Sequence, residues 1–259
     1  MKNRSFLCAA PLLLALPATL VAQTLTYSQQ AGADTFVSSG QPDANFGTLG
    51  AMELGAPTAA QPRTEMTLLF FDASALRAGF DSTFGAGNWV VTSVSLSLFS
   101  NVATAGQQPN NGSFNRIAAG MFEFDLLSNN TWSETSITWN TLPDILPGSG
   151  NSNILAPLGT FFWPARGSPS STWALNPDPM LLDAIDSGSP ITIFGQPTAG
   201  STVGYLFNTL LKPSRVSQCQ RRSGARTVIP GNPHRGVLFL AVRTGAALPI
   251  TNRHTCNGD

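Results

Sequence analysis

Val94, Leu96 and Leu98 alternate with Ser93, Ser95 and Ser97, the period-2 pattern of a strand with one face on a core and the other in water. Shorter runs predict further strands at Asp34 to Val37, Met66 to Phe71, Ile117 to Phe124, Gly159 to Trp163, Ile191 to Phe194 and Val203 to Phe207, each bounded by Gly, Pro or Asn clusters. One helix start is legible, Asn176-Pro177-Asp178-Pro179. There Asp178 can cap and Pro179 can occupy the first helical position ahead of Met180 to Ile185, for at most two turns. Short strands separated by turn signals predict an all-β fold: a jelly-roll-like antiparallel β-sandwich in a single domain with at most one short helix. No internal repeat stands out, which excludes a solenoid or propeller. The long Gly, Pro, Asn and Ser-rich loops are Gly55 to Gln61, Gly106 to Gly112 and Pro147 to Asn153, where a sandwich carries variation and binding.

The first 22 residues follow another pattern. Lys2 and Arg4 precede an apolar run from Phe6 to Leu16, and small residues end at Ala22, as in a secretory signal peptide. The run falls short of the roughly 20 residues of a transmembrane helix, and no later stretch approaches that length. The expectation is a secreted product, extracellular or at the cell surface, without a transmembrane segment. Its body would span residues 23–213.

Composition sharpens this. Charged residues make up 11% of the chain, against about 25% in an average globular domain, so Gly, Pro, Ser, Thr and Asn supply the polar surface. Sixteen Phe and five Trp argue against disorder, because they can bury enough apolar area to offset chain entropy. The net charge of zero is unevenly spread: residues 1–213 carry 7 basic and 13 acidic side chains, whereas residues 214–259 carry 7 Arg and Asp259. Cys219 and Cys256 also lie in this Arg-rich tail, so the body must hold together by packing.

The twelve residues Trp132 to Pro143, WSETSITWNTLP, pair two tryptophans seven apart with a Ser-Glu turn. The β-branched Thr135 to Thr138 run favours an extended path, so the segment reads as a turn into a short strand that Asn-Thr-Leu-Pro terminates. Trp132, Glu134, Trp139 and Asn140 are its structural signature, with both indoles expected in core or turn packing and Glu134 expected to cap its own turn or pair with Arg63.

This segment resembles the signature of the disaggregatase-related (DNRLRE) domain family, extracellular β-sandwich modules related to carbohydrate-binding modules. Three other segments are similar to the family's pattern: ADTFVSSGQPDANFG (Ala33 to Gly47), RTEMTLLFFDASAL (Arg63 to Leu76) and Val91 to Phe99. Val203 to Phe207 is similar to its late Gly-aromatic strand. The family closes with a further strand, and here Lys212-Pro213-Ser214 leads into the tail instead. Either Val237 to Val242 supplies that strand after a detour, or residues 214–259 are a disordered or frame-shifted replacement of the true ending. The resemblance implies a non-catalytic module for a polysaccharide or cell-surface glycan. The alternative is a structural protein of the envelope or extracellular matrix, and a polysaccharide-degrading enzyme comes third.

The candidate chemistry follows. Trp163 and Trp173 flank a loop containing Arg166, an arrangement that could expose aromatic faces for sugar stacking. Asp34, Asp43 and Asn45 gather near a turn with hard oxygen ligands suited to Ca2+. No histidine precedes His234, so the body lacks Ser-His and Cys-His machinery and zinc-ligand clusters. Its acidity argues against nucleic acid.

Overall fold

The computed structural model describes residues 24–101, 116–146, 153–165, 170–208 and 237–244. In chain order these form β1 (Thr24–Gln30), β2 (Ala33–Ser38), β3 (Ala51–Gly55), β4 (Glu65–Asp72), α1 (Ala73–Phe84), β5 (Trp89–Phe99), β6 (Gly120–Leu127), α2 (Leu142–Ile145), β7 (Ile154–Trp163), β8 (Ser170–Leu175), α3 (Pro179–Ser187), β9 (Pro190–Pro197), β10 (Gly204–Asn208) and β11 (Val237–Thr244). The signal-peptide segment, Arg166 and both cysteines of the tail lie outside the described residues.

The strands make two antiparallel sheets, as an all-β sandwich requires. The smaller has the order β1-β11-β5-β8, and the larger β10-β3-β4-β9-β6-β7 with β2 also paired to β4. Val237–Thr244 therefore sits inside the smaller sheet, with β1 on one side and β5 on the other. Its Leu238, Leu240 and Val242 join Val94, Leu96 and Leu98 of β5 in the main core. The facing sheet contributes Phe36, Leu69, Phe71, Phe122, Phe124, Ile193, Tyr205 and Phe207 to the same core.

Three helices are present among the described residues, where the sequence predicts one. The predicted one is α3, capped by Asp178, which accepts from the Met180 N–H at 2.8 Å. The unpredicted α1 starts at Asp72, whose carboxylate accepts from the Ser74 N–H at 3.0 Å. Its Ala73, Leu76 and Phe80, at helical spacing, are buried. The apolar β4 run masks this start, because Phe71-Asp72 reads equally as the end of a strand. α3 ends at Gly188 with φ 70°, and a β-carbon there would press on Arg77 and Ser74 of α1.

Strand β4 is apolar at consecutive positions because both of its faces are covered. Leu69 and Phe71 enter the main core, whereas Leu68 joins Val37, Leu127, Ile137, Leu142 and Phe194 in a second cluster. Trp132, Trp139, Met66, Leu146 and Ile154 pack against this second cluster. The segment from Trp132 to Leu146 is thus a cover on the outer face of the larger sheet.

An ion network is buried where β3 meets β4. Arg116 Nη2 donates to Glu65 Oε2 at 3.1 Å and its Nε lies 3.4 Å from Glu53 Oε1, while Arg63 Nε pairs with Glu65 Oε1. Glu53 and Glu65 are fully buried. Burial, reinforced by Glu65 and opposed by Arg116 and Arg63, pushes Glu53 up to about 8. Burial likewise raises Glu65 against the pull of Arg116 and Arg63. The guanidinium passes over Gly55, where a β-carbon would lie 2.0 Å from Arg116 Nη2.

Candidate functional site

The signature segment is held by the loop Pro42 to Gly47. Asn45 Nδ2 donates to the carbonyls of Glu134 at 2.8 Å and Ile137 at 2.7 Å, and its Oδ1 accepts from the Gly47 N–H. The Asn140 N–H donates to Pro42 O at 3.0 Å, and Asn140 Nδ2 donates to Asp43 Oδ1 at 2.6 Å. Glu134 Oε2 accepts from the Asp34 N–H at 3.1 Å. This corrects two expectations for Glu134, because Arg63 turns instead to Glu65 and the Glu134 carboxylate reaches β2.

The expected short strand within the segment is also corrected. Residues 134–136 and 139–141 are turns. The hydroxyls that the sequence places on an extended path close local rings instead: Thr141 Oγ1 accepts from the Thr138 N–H at 2.9 Å, and Ser133 Oγ accepts from the Thr135 N–H at 3.3 Å. The segment lies on a sheet face rather than along an edge, so it has no ladder to join.

Asp34, Asp43 and Asn45 each make a hydrogen bond to the signature segment, Asp34 through its backbone N–H, Asp43 through its carboxylate and Asn45 through its amide. Asn45 spends its amide on carbonyls and its oxygen on Gly47. Among the described residues no group of three His, Cys, Asp or Glu is placed to hold a metal ion.

The exposure expected of Trp163 is corrected as well. It is 2% exposed and stacks on Tyr205 with ring centroids 4.0 Å apart. Trp173 is half-buried and packs edge-on against Phe122, with ring centroids 5.3 Å apart. The strand period explains both: Trp173 pairs with the core residue Leu96, and Trp163 pairs with Gly120, two positions before the core residue Phe122 on the same face of β6.

Two clefts flank the signature segment instead. The first, about 420 Å³, is lined by Asn129, Thr131, Trp132, Ser133, Ser136, Ile137, Thr141 and Asp144. One half-buried indole is here surrounded by an amide, four hydroxyls and a carboxylate. The ring is fixed by its Nε1–H, which donates to Thr192 Oγ1 at 3.0 Å, and that hydroxyl donates in turn to Asn130 Oδ1 at 2.7 Å. Phe70 meets the indole edge-on at 6.5 Å. Such an arrangement offers a flat apolar face and convergent hydrogen-bonding groups, which matches the C–H face and hydroxyls of a sugar ring.

The second cleft, about 230 Å³, is lined by Met66, Trp139, Leu142, Pro143, Leu146, Ile154, Phe194 and Gln196. α2 separates the two, presenting Asp144 to the first and Leu142 and Pro143 to the second. At its border Gln196 Nε2 donates to Glu123 Oε1 at 2.9 Å and Asp125 Oδ2 at 3.1 Å. Asp125 is 5% exposed. Burial and the neighbouring Glu123, opposed by the Gln196 hydrogen bond, push it up to about 6.

With this geometry in view, a family model for carbohydrate-binding module family 96 matches residues 25–154. The chain belongs to carbohydrate-binding module family 96. A comparison with curated proteins finds no match. The family 96 region runs from β1 to the first residue of β7 and contains both the Pro42 to Gly47 loop and the signature segment that it staples. It also contains every residue that lines the first cleft of this family 96 module. No helix among the described residues is long and apolar enough to cross a membrane.

Proposed function

We propose that this family 96 module is secreted and non-catalytic, and that it binds a polysaccharide or cell-surface glycan in the cleft beside Trp132, serving attachment. The observation that carries the reading is the composition of that cleft, where a pinned indole stands among Asn129, Thr131, Ser133, Ser136, Thr141 and Asp144. Sugars are recognised by that combination, because the ring stacks while hydroxyls exchange hydrogen bonds with protein polar groups, directly or through water. The family membership supports the same ligand class.

The carboxylates support a non-catalytic role. A glycosidase sets one acid on each side of a bond. Glu123 and Asp125 instead share one Gln196 amide, and Asp125 is buried. Glu53 and Glu65 are sealed inside the fold with Arg116.

The test is affinity electrophoresis of the full chain in gels containing neutral, cationic or anionic polysaccharides. Ser136 is exposed on the cleft wall, so Ser136→Trp should fill the cleft and abolish retardation without loss of thermal stability. Retardation that survives Ser136→Trp would overturn this site.

A further inference from the structure

The cleft beside Trp132 is lined wholly from within residues 25–154, yet its indole is anchored from outside that stretch. Thr192 lies on β9 and is fully buried beneath the cover. Its cross-strand partner on β4 is Phe70. Phe70 meets the Trp132 ring edge-on, and the Thr192 hydroxyl accepts the ring's N–H. One cross-strand pair thus seats the indole twice, by an apolar contact and by a hydrogen bond. The direction of the hydrogen bonds is settled by their chemistry. An indole N–H only donates, and a hydroxyl has a single proton to give. Trp132 therefore gives to Thr192 Oγ1 at 3.0 Å, and Thr192 gives to Asn130 Oδ1 at 2.7 Å. With its proton committed to Asn130, the hydroxyl can turn only an acceptor toward the indole, and donation at one end strengthens acceptance at the other.

We propose that Thr192 is a positioning residue of the glycan cleft: it holds the Trp132 indole in the orientation on which a sugar stacks, so that a site lined by the family-matched residues depends on a strand outside them. The inference rests on the carbohydrate-binding reading of that cleft and adds no second site. A buried indole N–H takes a hydrogen-bond partner. Deprived of Thr192, it would turn toward the water of the cleft and carry the ring face away with it. Held by Thr192, the ring is set before the sugar arrives, and its rotamer freedom is lost on folding instead of on binding. The ring that makes the contact and the residue that aims it thus belong to different stretches of the chain, Trp132 in the cover and Thr192 in the sheet beneath.

The experiment reads the ring and the binding separately, on the full chain. Trp132→Phe identifies the indole N–H resonance of Trp132 in proton–nitrogen NMR spectra, and native gels containing alginate, galactomannan or glycol chitosan report retardation. Thr192→Val keeps the shape and removes the hydroxyl. It is expected to move that resonance upfield and to speed its exchange with water. Retardation by whichever polymer holds the parent should weaken about two- to tenfold, the worth of one neutral hydrogen bond. Thr192→Ser returns the hydroxyl and is expected to restore both readouts although serine packs less well, which a purely structural role would not allow. All chains are compared at a temperature where circular dichroism shows them folded. Should Thr192→Val not fold, Asn130→Ala reads the same relay from its other end, with a resonance shift in the same direction and weaker retardation expected. An unmoved resonance, or a displaced resonance with undiminished retardation, would overturn the role of Thr192 and leave the Trp132 cleft standing. A parent that none of the three polymers retards would overturn the cleft and this role with it.

Discussion

Gly47 lies so close to the backbone of Glu134 that a β-carbon at position 47 would stand 1.8 Å from the Glu134 carbonyl oxygen. The Pro42 to Gly47 loop and the signature segment are therefore one unit, built from residues nearly ninety positions apart in the chain. Gly47→Ala must push them apart, at a cost of about 1–3 kcal/mol for overpacking. Urea denaturation should show the loss, and polysaccharide retardation should fall with it, because the wall of the Trp132 cleft is displaced.

Asn45 makes the complementary attachment. Asn45→Ala leaves the Glu134 and Ile137 carbonyls without their shared donor, and each orphaned acceptor costs about 1–3 kcal/mol. Asn45→Asp should be no rescue, since a carboxylate has no N–H to give. Thermal unfolding of both variants checks this.

The pH dependence follows from Glu53. Its folded pKa is raised from 4.5 to about 8, so between those values the folded state holds a proton that the unfolded state has lost. Stability conferred by that proton is full below pH 4.5 and declines as pH rises toward 8. Asp125, raised from 3.8 to about 6, acts with the same sign in its own window. Glu53→Gln should flatten the upper part of the stability profile and be more stable than the parent at pH 9. Urea midpoints from pH 5 to 9 measure it, and an unchanged slope would refute the assignment.

Trp163→Ala should lower stability by about 3–5 kcal/mol, because it empties a core position stacked on Tyr205. Loss of glycan binding in that variant would reflect the fold. Denaturant titration before any binding assay distinguishes the two.

Truncation after Pro213 removes β11 and its buried Leu238, Leu240 and Val242. The expected outcome is a chain without a cooperative unfolding transition by circular dichroism. Leu240→Ala in the full chain should cost about 2–5 kcal/mol.

Much of the sandwich was legible from alternation: β2, β4, β5, β6, β7, β9 and β10 overlap the runs read from the sequence, and Ser93 to Leu98 is the clearest one. β3 was hidden because AMELG mixes a buried Glu53 with apolar neighbours, an acid accommodated in the fold by its raised pKa and by Arg116 at 3.4 Å. β8 was hidden because Ser170 to Thr172 carry no apolar signal. The importance of Trp132 to Pro143 was visible in its spacing, and the segments similar to the disaggregatase-related pattern from Ala33 to Pro143 fall inside the matched residues 25–154. The cleft itself was not visible. Asn129, Thr131 and Asp144 flank the segment as ordinary loop residues until the cover folds onto Leu68 and Phe194. One signal could have pointed there: β4 is apolar on both faces, which requires something to lie over the outer one.

The position of β11 also constrains how the molecule comes into being. Synthesis delivers β1 and then β5, yet neither pairs with the other; β5 has β8 on one side, and the place between β1 and β5 is filled only by β11. Until residues 237–244 have emerged, Val94, Leu96 and Leu98 have no neighbour on that flank, and pairing β1 with β11 closes a contact across more than two hundred residues of sequence, a kind of contact that forms slowly. Completion of the smaller sheet thus waits on residues 237–244, and an emerging chain carries an open strand edge at β5 until they arrive.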